Sequence, residues 1–294
     1  MTPGVARPKF PAMAPSARTT RLRIGPSPAG PLHVGHVRNA VLTWILARQQ
    51  SGEYLVRFEN TDRVKEVAGA REAMVEDLAW LGLLGDSPPG CQADMKPAYR
   101  QALDVLADGG WTYREGDAVR FRLPRDGATE WEDVVRGRLA VRNSDLGDPV
   151  LVRSSGLPTF FLASTVDDSE DGITHLLRVD AMARVTATQL HIWGALGRAL
   201  PRFGHHPAVV GSDRKLIRNG ATEGATVGEL RESGIAPQVL VVYLALPQTA
   251  SWKAPPVRLE DVVDQVDLSR VSRRPLVFDV EAVRAMNRRY GAGR

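Results

Sequence analysis

Residues Gly25-Pro26-Ser27-Pro28-Ala29-Gly30-Pro31-Leu32-His33-Val34-Gly35-His36 decide how this chain is read. Just before them, 22–25 reads as a short strand. Just after them, Val37, Val41, Trp44, Ile45 and Arg48 recur at spacings of three and four, the period of an amphipathic helix over about 34–50. Gly52 supplies a stop, and 54–59 reads as the next strand. Strand, Pro/Gly turn, helix and strand make a βαβ unit. Such a unit joins parallel strands, so the pattern predicts an α/β fold with a Rossmann-like parallel sheet.

The turn also points to a ligand. Open parallel sheets bind ligands beyond the carboxyl ends of their strands. A helix N-terminus there offers free N–H groups and the positive end of a dipole, which suit phosphate. His33 and His36 would add donors beside it, and Gly35, without a Cβ, lets a flat base or ribose approach the backbone. Taken alone, the four residues 33–36 also describe a structural histidine pair. Their place after a strand and a Pro/Gly turn favours a nucleotide.

Composition sets the bounds. At about 150 residues per domain, 294 residues predict roughly two domains. Apolar residues at 43% and charged residues at 24% exclude a wholly disordered, collagen-like or coiled-coil chain. Lys and Arg exceed Asp and Glu by 38 to 34, a net +4 that permits a polyanionic partner without demanding one. Cys91 is the single cysteine, so no intrachain disulfide and no Cys-rich zinc site can form, and a reducing, cytoplasmic setting is expected. No apolar run approaches the ~20 residues of a membrane span. Residues 1–20, basic and rich in Pro, Ala and Ser, read as a disordered tail or as sequence upstream of a start at Met13.

A second helix is expected over 68–84, and Asp86-Ser87-Pro88-Pro89-Gly90 marks a boundary. Residues 88–157 read as a small α+β insertion, with a helix at 97–108 and strands at 118–123, 134–141 and 150–154. Strands at 159–166, 172–179 and 208–211, with a helix at 185–200, would complete the sheet. Helical segments at 226–233, 237–246, 259–266 and 280–289 make a C-terminal helical subdomain. The organisation expected is therefore a tail (1–20), two sheet halves (21–87 and 158–211), the insertion (88–157) and a loop plus helical part (212–294).

Residues 25–36 resemble the first signature of class I aminoacyl-tRNA synthetases of the glutamyl branch. Arg57-Phe58-Glu59-Asn60-Thr61-Asp62-Arg63 resembles that branch's Arg-Ile-Glu-Asp-Thr-Asp-Arg string. Val135-Arg136-Gly137, Asp167-Asp168, Gly172-Ile173-Thr174-His175, Val271-Ser272 and Val277-Phe278-Asp279 are similar to further landmarks. The resemblance spans about 21–290 and implies ATP-dependent activation of an amino acid as an acyl-adenylate, followed by transfer to the acceptor end of a tRNA. It implies that His33, Gly35 and His36 bind ATP, that Lys215 and Arg218 form the catalytic loop, and that Mg²⁺ accompanies ATP. It assigns Arg23, Ser27, Glu59, Arg178 and the positions of Phe160 and Ser164 to the amino acid, glutamate or a relative.

The chain departs from that pattern at several points. Phe160-Phe161 stands where the branch has Tyr-Asn or Tyr-His, so a hydroxyl that could bind substrate is missing, and Ser164 follows where a polar residue is usual. Val179-Asp180-Ala181-Met182 replaces Gly-Glu-Asp-His or a close variant. The second signature, Lys-Leu-Ser-Lys-Arg in the branch, is Lys215-Leu216-Ile217-Arg218-Asn219. The insertion is short and carries no zinc ligands, so no zinc is expected. The sequence runs out after Asn287-Arg288-Arg289-Tyr290, where an anticodon-binding domain would begin, although Arg270, Arg273, Arg274, Arg284, Arg288 and Arg289 could still meet phosphates. Two other readings stay open: a ligase that passes its adenylate to a small amine, and a non-catalytic remnant of the fold.

Overall fold

β1 (Arg21–Ile24), α1 (Val34–Gln49) and β2 (Glu53–Phe58) form the expected βαβ unit in a computed structural model that describes residues 19–217, 224–245 and 259–291. Of the tail expected over 1–20, all but the last two residues lie outside the described residues. The chain continues through α2 (Ala70–Trp80), β3 (Gly90–Cys91), α3 (Lys96–Asp108), β4 (Thr112–Glu115), β5 (Ala118–Phe121), β6 (Ala128–Asp133), β7 (Gly137–Arg142) and β8 (Val150–Val152). Then come α4 (Phe160–Glu170), β9 (His175–Val179), α5 (Ala183–Ala195), β10 (Arg202–His206) and β11 (Val209–Val210). The C-terminal part is helical, with α6 (Val227–Glu232), α7 (Pro237–Ala245), α8 (Glu260–Val263), the short β12 (Leu276–Val277) and α9 (Val280–Tyr290). Among the described residues no helix is long and apolar enough to cross a membrane.

A seven-stranded sheet runs β3-β2-β1-β9-β10-β6-β7, parallel except for β7. From β1 the chain winds through α1 to β2, and from β9 it winds through α5 to β10 on the other side. The seam between β1 and β9 is therefore a topological switch point, where open α/β sheets place their ligands. α1 lies between the sheet and α7, and Val37, Val41, Leu42 and Ile45 are fully buried there with Leu240 and Leu244. Each such side chain contributes about 1.5–3 kcal/mol of burial. The antiparallel sheet β4-β5-β8 packs with α3 around Tyr99, Leu106, Phe121 and Leu151, and this small core continues into Leu162 and Val166 of α4.

Three expectations need correction. The strand expected at 159–166 is the helix α4. Its β-branched and aromatic residues imitate a strand, but Ser164, Thr165 and Ser169 each donate to the carbonyl four residues back at 2.8 Å, which satisfies their hydroxyls within the helix. The helix also delivers Asp167 and Asp168 to buried arginines of the sheet, which a strand of alternating faces could not do. The strand at 208–211 does not complete the main sheet. Val209 and Val210 pair instead with Leu276 and Val277, and β10 completes the sheet. Gly204 makes β10 fit, since a Cβ there would lie 2.4 Å from Leu177 Cδ2. Finally, the strand expected at 134–141 is the turn and second arm of the β6–β7 hairpin. That hairpin extends the main sheet through Phe203 against Asp133, so part of 88–157 belongs to the central sheet.

Candidate active site

A cavity of about 550 Å³ opens at the switch point. Its wall takes Arg23 and Gly25 from the end of β1, His33, Gly35, His36 and Asn39 from the start of α1, and Glu59 from beyond β2. Leu177, Arg178 and Val179 of β9, Phe160 of α4, Met182 and His206 close the other side. Ala208, Val209, Leu216 and Ile217 complete the lining.

The two histidines build the helix start themselves. His33 is the N-cap, and its Nδ1 accepts the Gly35 N–H at 3.1 Å; His36 Nδ1 faces the His33 N–H at 3.4 Å. Each Nδ1 is an acceptor, so each ring carries its proton on Nε2. The rings lie against each other, tilted by 32°, with centroids 3.9 Å apart. A Cβ on residue 35 would lie 2.9 Å from His33 Cε1, so glycine there allows the His33 ring to fold back on the helix. Burial lowers His33 to about 4, and burial with the neighbouring His33 lowers His36 to about 3. Both are neutral N–H donors at pH 7 and add no full charge. The chain after 218–223 is pinned beside them, with Val34 N–H donating to Ala225 O at 2.9 Å and Val227 N–H to Leu32 O at 2.9 Å.

A buried charge cluster forms the floor. Arg23 grips Asp168 with two parallel bonds, Nε to Oδ1 at 2.8 Å and Nη2 to Oδ2 at 2.9 Å, and its Nη1 lies 3.4 Å from the Glu59 carboxylate. Arg57 donates to Asp168 and Asp171 at 2.6 Å each. Burial alone would raise Asp168, but Arg23 and Arg57 outweigh it and hold the carboxyl down at about 2. Next to it, burial prevails over Arg57 and raises Asp167 to about 6. Arg57, in the string that resembles the family motif, is therefore a structural cation, and Glu59 is the member of that string that faces the cavity.

Two buried polar atoms of cavity residues make no hydrogen bond among the described residues, although the first, Glu59 Oε1, lies 3.4 Å from Arg23 Nη1. Glu59 Oε1 is buried with no hydrogen bond among the described residues, and burial raises the Glu59 carboxyl against the pull of Arg23 and Arg57. Arg178 Nη2 is likewise buried and unbonded, while its Nη1 donates to Thr186 Oγ1 at 3.0 Å and Gln189 Oε1 at 2.7 Å. Burial, with Arg23 adding to it, lowers Arg178 to about 10, so it remains a cation at neutral pH. A buried carboxylate held 3.4 Å from Arg23 and a buried cation with no salt bridge among the described residues lie in one cavity, and together they complement a zwitterion.

Of the expected site residues, the structure brings together Arg23, His33, Gly35, His36, Glu59, Phe160 and Arg178. Ser27 is exposed and does not line the cavity. Ser164 is fully buried behind it, donating to Phe160 O at 2.8 Å and accepting from Gln189 Nε2 at 2.6 Å. Lys215 is exposed, with its Nζ 3.4 Å from Asp213, and Leu216 and Ile217 of the same loop reach the cavity. Arg218 lies outside the described residues. Asn39 and His206, joined at 3.0 Å, were not expected. Asn39 lies on the helical repeat from His36, a signal that was available, whereas His206 carries no local motif. Among the described residues no group of three or more His, Cys, Asp or Glu converges to hold a metal.

Fold and cavity together define an α/β domain with a cavity at the switch point of a parallel sheet, and comparison gives the family. The model of the class I tRNA synthetases (E and Q), catalytic domain, matches residues 19–118 and 115–285, and the chain belongs to that family. It is 31% identical over 309 residues to a glutamate–tRNA ligase of Geotalea uraniireducens, covering 92% of this chain and 66% of the relative. It is 33% identical over 331 residues to glutamate–tRNA ligase 2 of Rubrobacter xylanophilus, covering 94% of this chain and 66% of the relative. The chain thus spans just under two thirds of the length of these relatives. The crystal structure of a glutamate–tRNA synthetase from Elizabethkingia anophelis shares the fold at a TM-score of 0.82 and 22% identity, covering 93% of this chain and 70% of that one.

Proposed function

We propose that this chain activates glutamate or a close relative with ATP and passes the acyl group to the 3′ end of a tRNA. The observation that carries the reading is a pair of buried atoms without a hydrogen bond among the described residues, Glu59 Oε1 beside Arg23 and Arg178 Nη2, in the same cavity as the His33 and His36 donors. Glu59 takes the α-ammonium, and Arg178 takes the α-carboxylate. Arg23 Nη1, held at the cavity wall by the Asp168 grip, attracts a second carboxylate. The α-carboxylate oxygen attacks the α-phosphorus of ATP in line, the bond to the bridging oxygen breaks, and pyrophosphate leaves. The Nε2–H donors of His33 and His36 and the N-terminus of α1 stabilise the charge that builds on the phosphate oxygens. Lys215 and Arg218 cover the leaving pyrophosphate. Mg²⁺ brought in with ATP would supply charge neutralisation at its phosphates. In this reading 21–87 and 158–211 carry the two substrates, and 88–157 and 212–294 face the acceptor in a cytoplasmic setting.

The test is amino-acid-dependent exchange of pyrophosphate into ATP across the twenty amino acids, with and without bulk tRNA. Exchange with L-glutamate and an acylated tRNA product are expected. Exchange without a tRNA product would move the acceptor to a small amine. Folded protein that exchanges with none of them would overturn the reading.

A further inference from the structure

The two arginines of the cavity are held in opposite ways. Arg23 is neutralised by Asp168 and Glu59. Arg178 has no salt bridge among the described residues and is fixed by neutral acceptors, Thr186 Oγ1 and Gln189 Oε1, which use both hydrogens of its Nη1. Behind each acceptor stands a buried chain. Thr186 Oγ1 lies 3.0 Å from His205 Nε2, and His205 Nδ1 lies 2.5 Å from Asp133 Oδ2. Asp133 Oδ1 accepts the backbone N–H groups of Val135 at 3.1 Å, Arg136 at 2.9 Å and His205 at 3.0 Å. On the other side Gln189 Nε2 donates to Ser164 Oγ, whose own hydrogen goes to Phe160 O.

The donors allow one direction. Burial would raise Asp133, but the bonds from His205 and the loop N–H groups hold it below the usual carboxylate range, so it accepts from His205 Nδ1. With the His205 proton on Nδ1, Nε2 is an acceptor, so the Thr186 hydroxyl donates to it while its oxygen accepts from Arg178. The amide of Gln189 is oriented by Ser164 so that its oxygen faces Arg178. Asp133, Ser164, Thr186, Gln189 and His205 are all buried, and none of them lines the cavity.

We propose that Thr186 and Gln189, oriented by His205–Asp133 and by Ser164, are positioning residues that fix Arg178 without neutralising it, leaving Nη2 free for the substrate carboxylate. A carboxylate in either place would hold the guanidinium equally well and compete with the substrate. The inference rests on the reading of Arg178 as the carboxylate site. It also gives Ser164 a role that does not require contact with substrate.

Calorimetric binding of L-glutamate and of ATP, each measured separately, tests it. Thr186→Val keeps the shape and removes the acceptor, so L-glutamate binding weakens about tenfold, the loss of one hydrogen bond to a charged group, with ATP binding unchanged. Gln189→Leu acts in the same way from the other side, and Thr186→Ser restores binding. In an Arg178→Ala background, Thr186→Val has no further effect, because Thr186 acts through that arginine. Equal weakening for ATP and L-glutamate, or a full tenfold effect on top of Arg178→Ala, would overturn the positioning role. Unchanged L-glutamate binding in Arg178→Ala alone would overturn the site reading instead, as would wild-type protein that binds no L-glutamate.

Discussion

The two halves of the sheet reach the same cavity by different physics. In β1–α1–β2 the functional groups are set by neighbours in sequence: His33 and His36 cap their own helix, and Gly35 leaves room for the His33 ring. In β9–α5–β10, Arg178 is set by Thr186, Gln189 and, one step further back, by His205 and Asp133. A local device survives changes elsewhere in the fold, whereas a tertiary network couples the site to core packing. Between the halves, Asp168 of α4 ties Arg23 to Arg57 and joins the two.

The comparison breaks most severely at that joint. Asp168→Ala leaves two buried guanidinium groups without their shared carboxylate, and the expected cost is about 3–5 kcal/mol, read from urea unfolding. Arg178→Met is expected to behave oppositely. It removes a cation that no carboxylate pairs, so stability should stay within about 1 kcal/mol of wild type, while the KM for the amino acid in pyrophosphate exchange rises about a hundredfold, as loss of a charged hydrogen-bonded contact implies. On the local side, His36→Ala is expected to lower the adenylation rate by about tenfold, or ~1.4 kcal/mol of barrier. A stopped-flow rate equal to wild type would remove His36 from the mechanism.

Legibility followed the same division. The turn at 25–36 and the βαβ unit could be read because cap, turn and helical period all lie within a few residues of one another. The strand β10 could not, since Arg202-Phe203-Gly204-His205-His206 has little strand propensity and is made a strand by pairing with β9 and β6. α4 was hidden because its aromatic and β-branched residues follow strand chemistry locally, and the buried arginines that its carboxylates meet lie far away in sequence. Ser164 was found by its position in a motif, but its contact is with Gln189 and not with the cavity. Resemblance locates a residue and leaves the direction of its side chain to the packing around it.

A further effect is expected on pH. Burial lowers His33, His175 and His191 to about 4, and His36 and His206 to about 3. Below about 6.5 the unfolded chain binds protons that the folded chain refuses, so stability falls as pH drops from about 6.5 toward 4 and is flat in these groups above that. Asp167 and Asp77, raised to about 6, and Glu59, also raised by burial, work in the opposite sense but are outnumbered by the five histidines. Thermal melts should therefore give a lower Tm at pH 5 than at pH 7.5, with no loss from these histidines between pH 7 and 8.

In the proposed function, one cavity joins an amino-acid clamp, Glu59 with Arg178, to a nucleotide at the start of α1. Its most direct test is the calorimetric affinity for a stable sulfamoyl mimic of glutamyl-adenylate, compared with L-glutamate and ATP measured separately. The mimic is expected to bind at least about a hundredfold more tightly than either, as analogues of the reacting state do. Affinity no better than that of ATP alone would contradict the proposed function, because the clamp and the phosphate-facing histidines would then not act on one molecule.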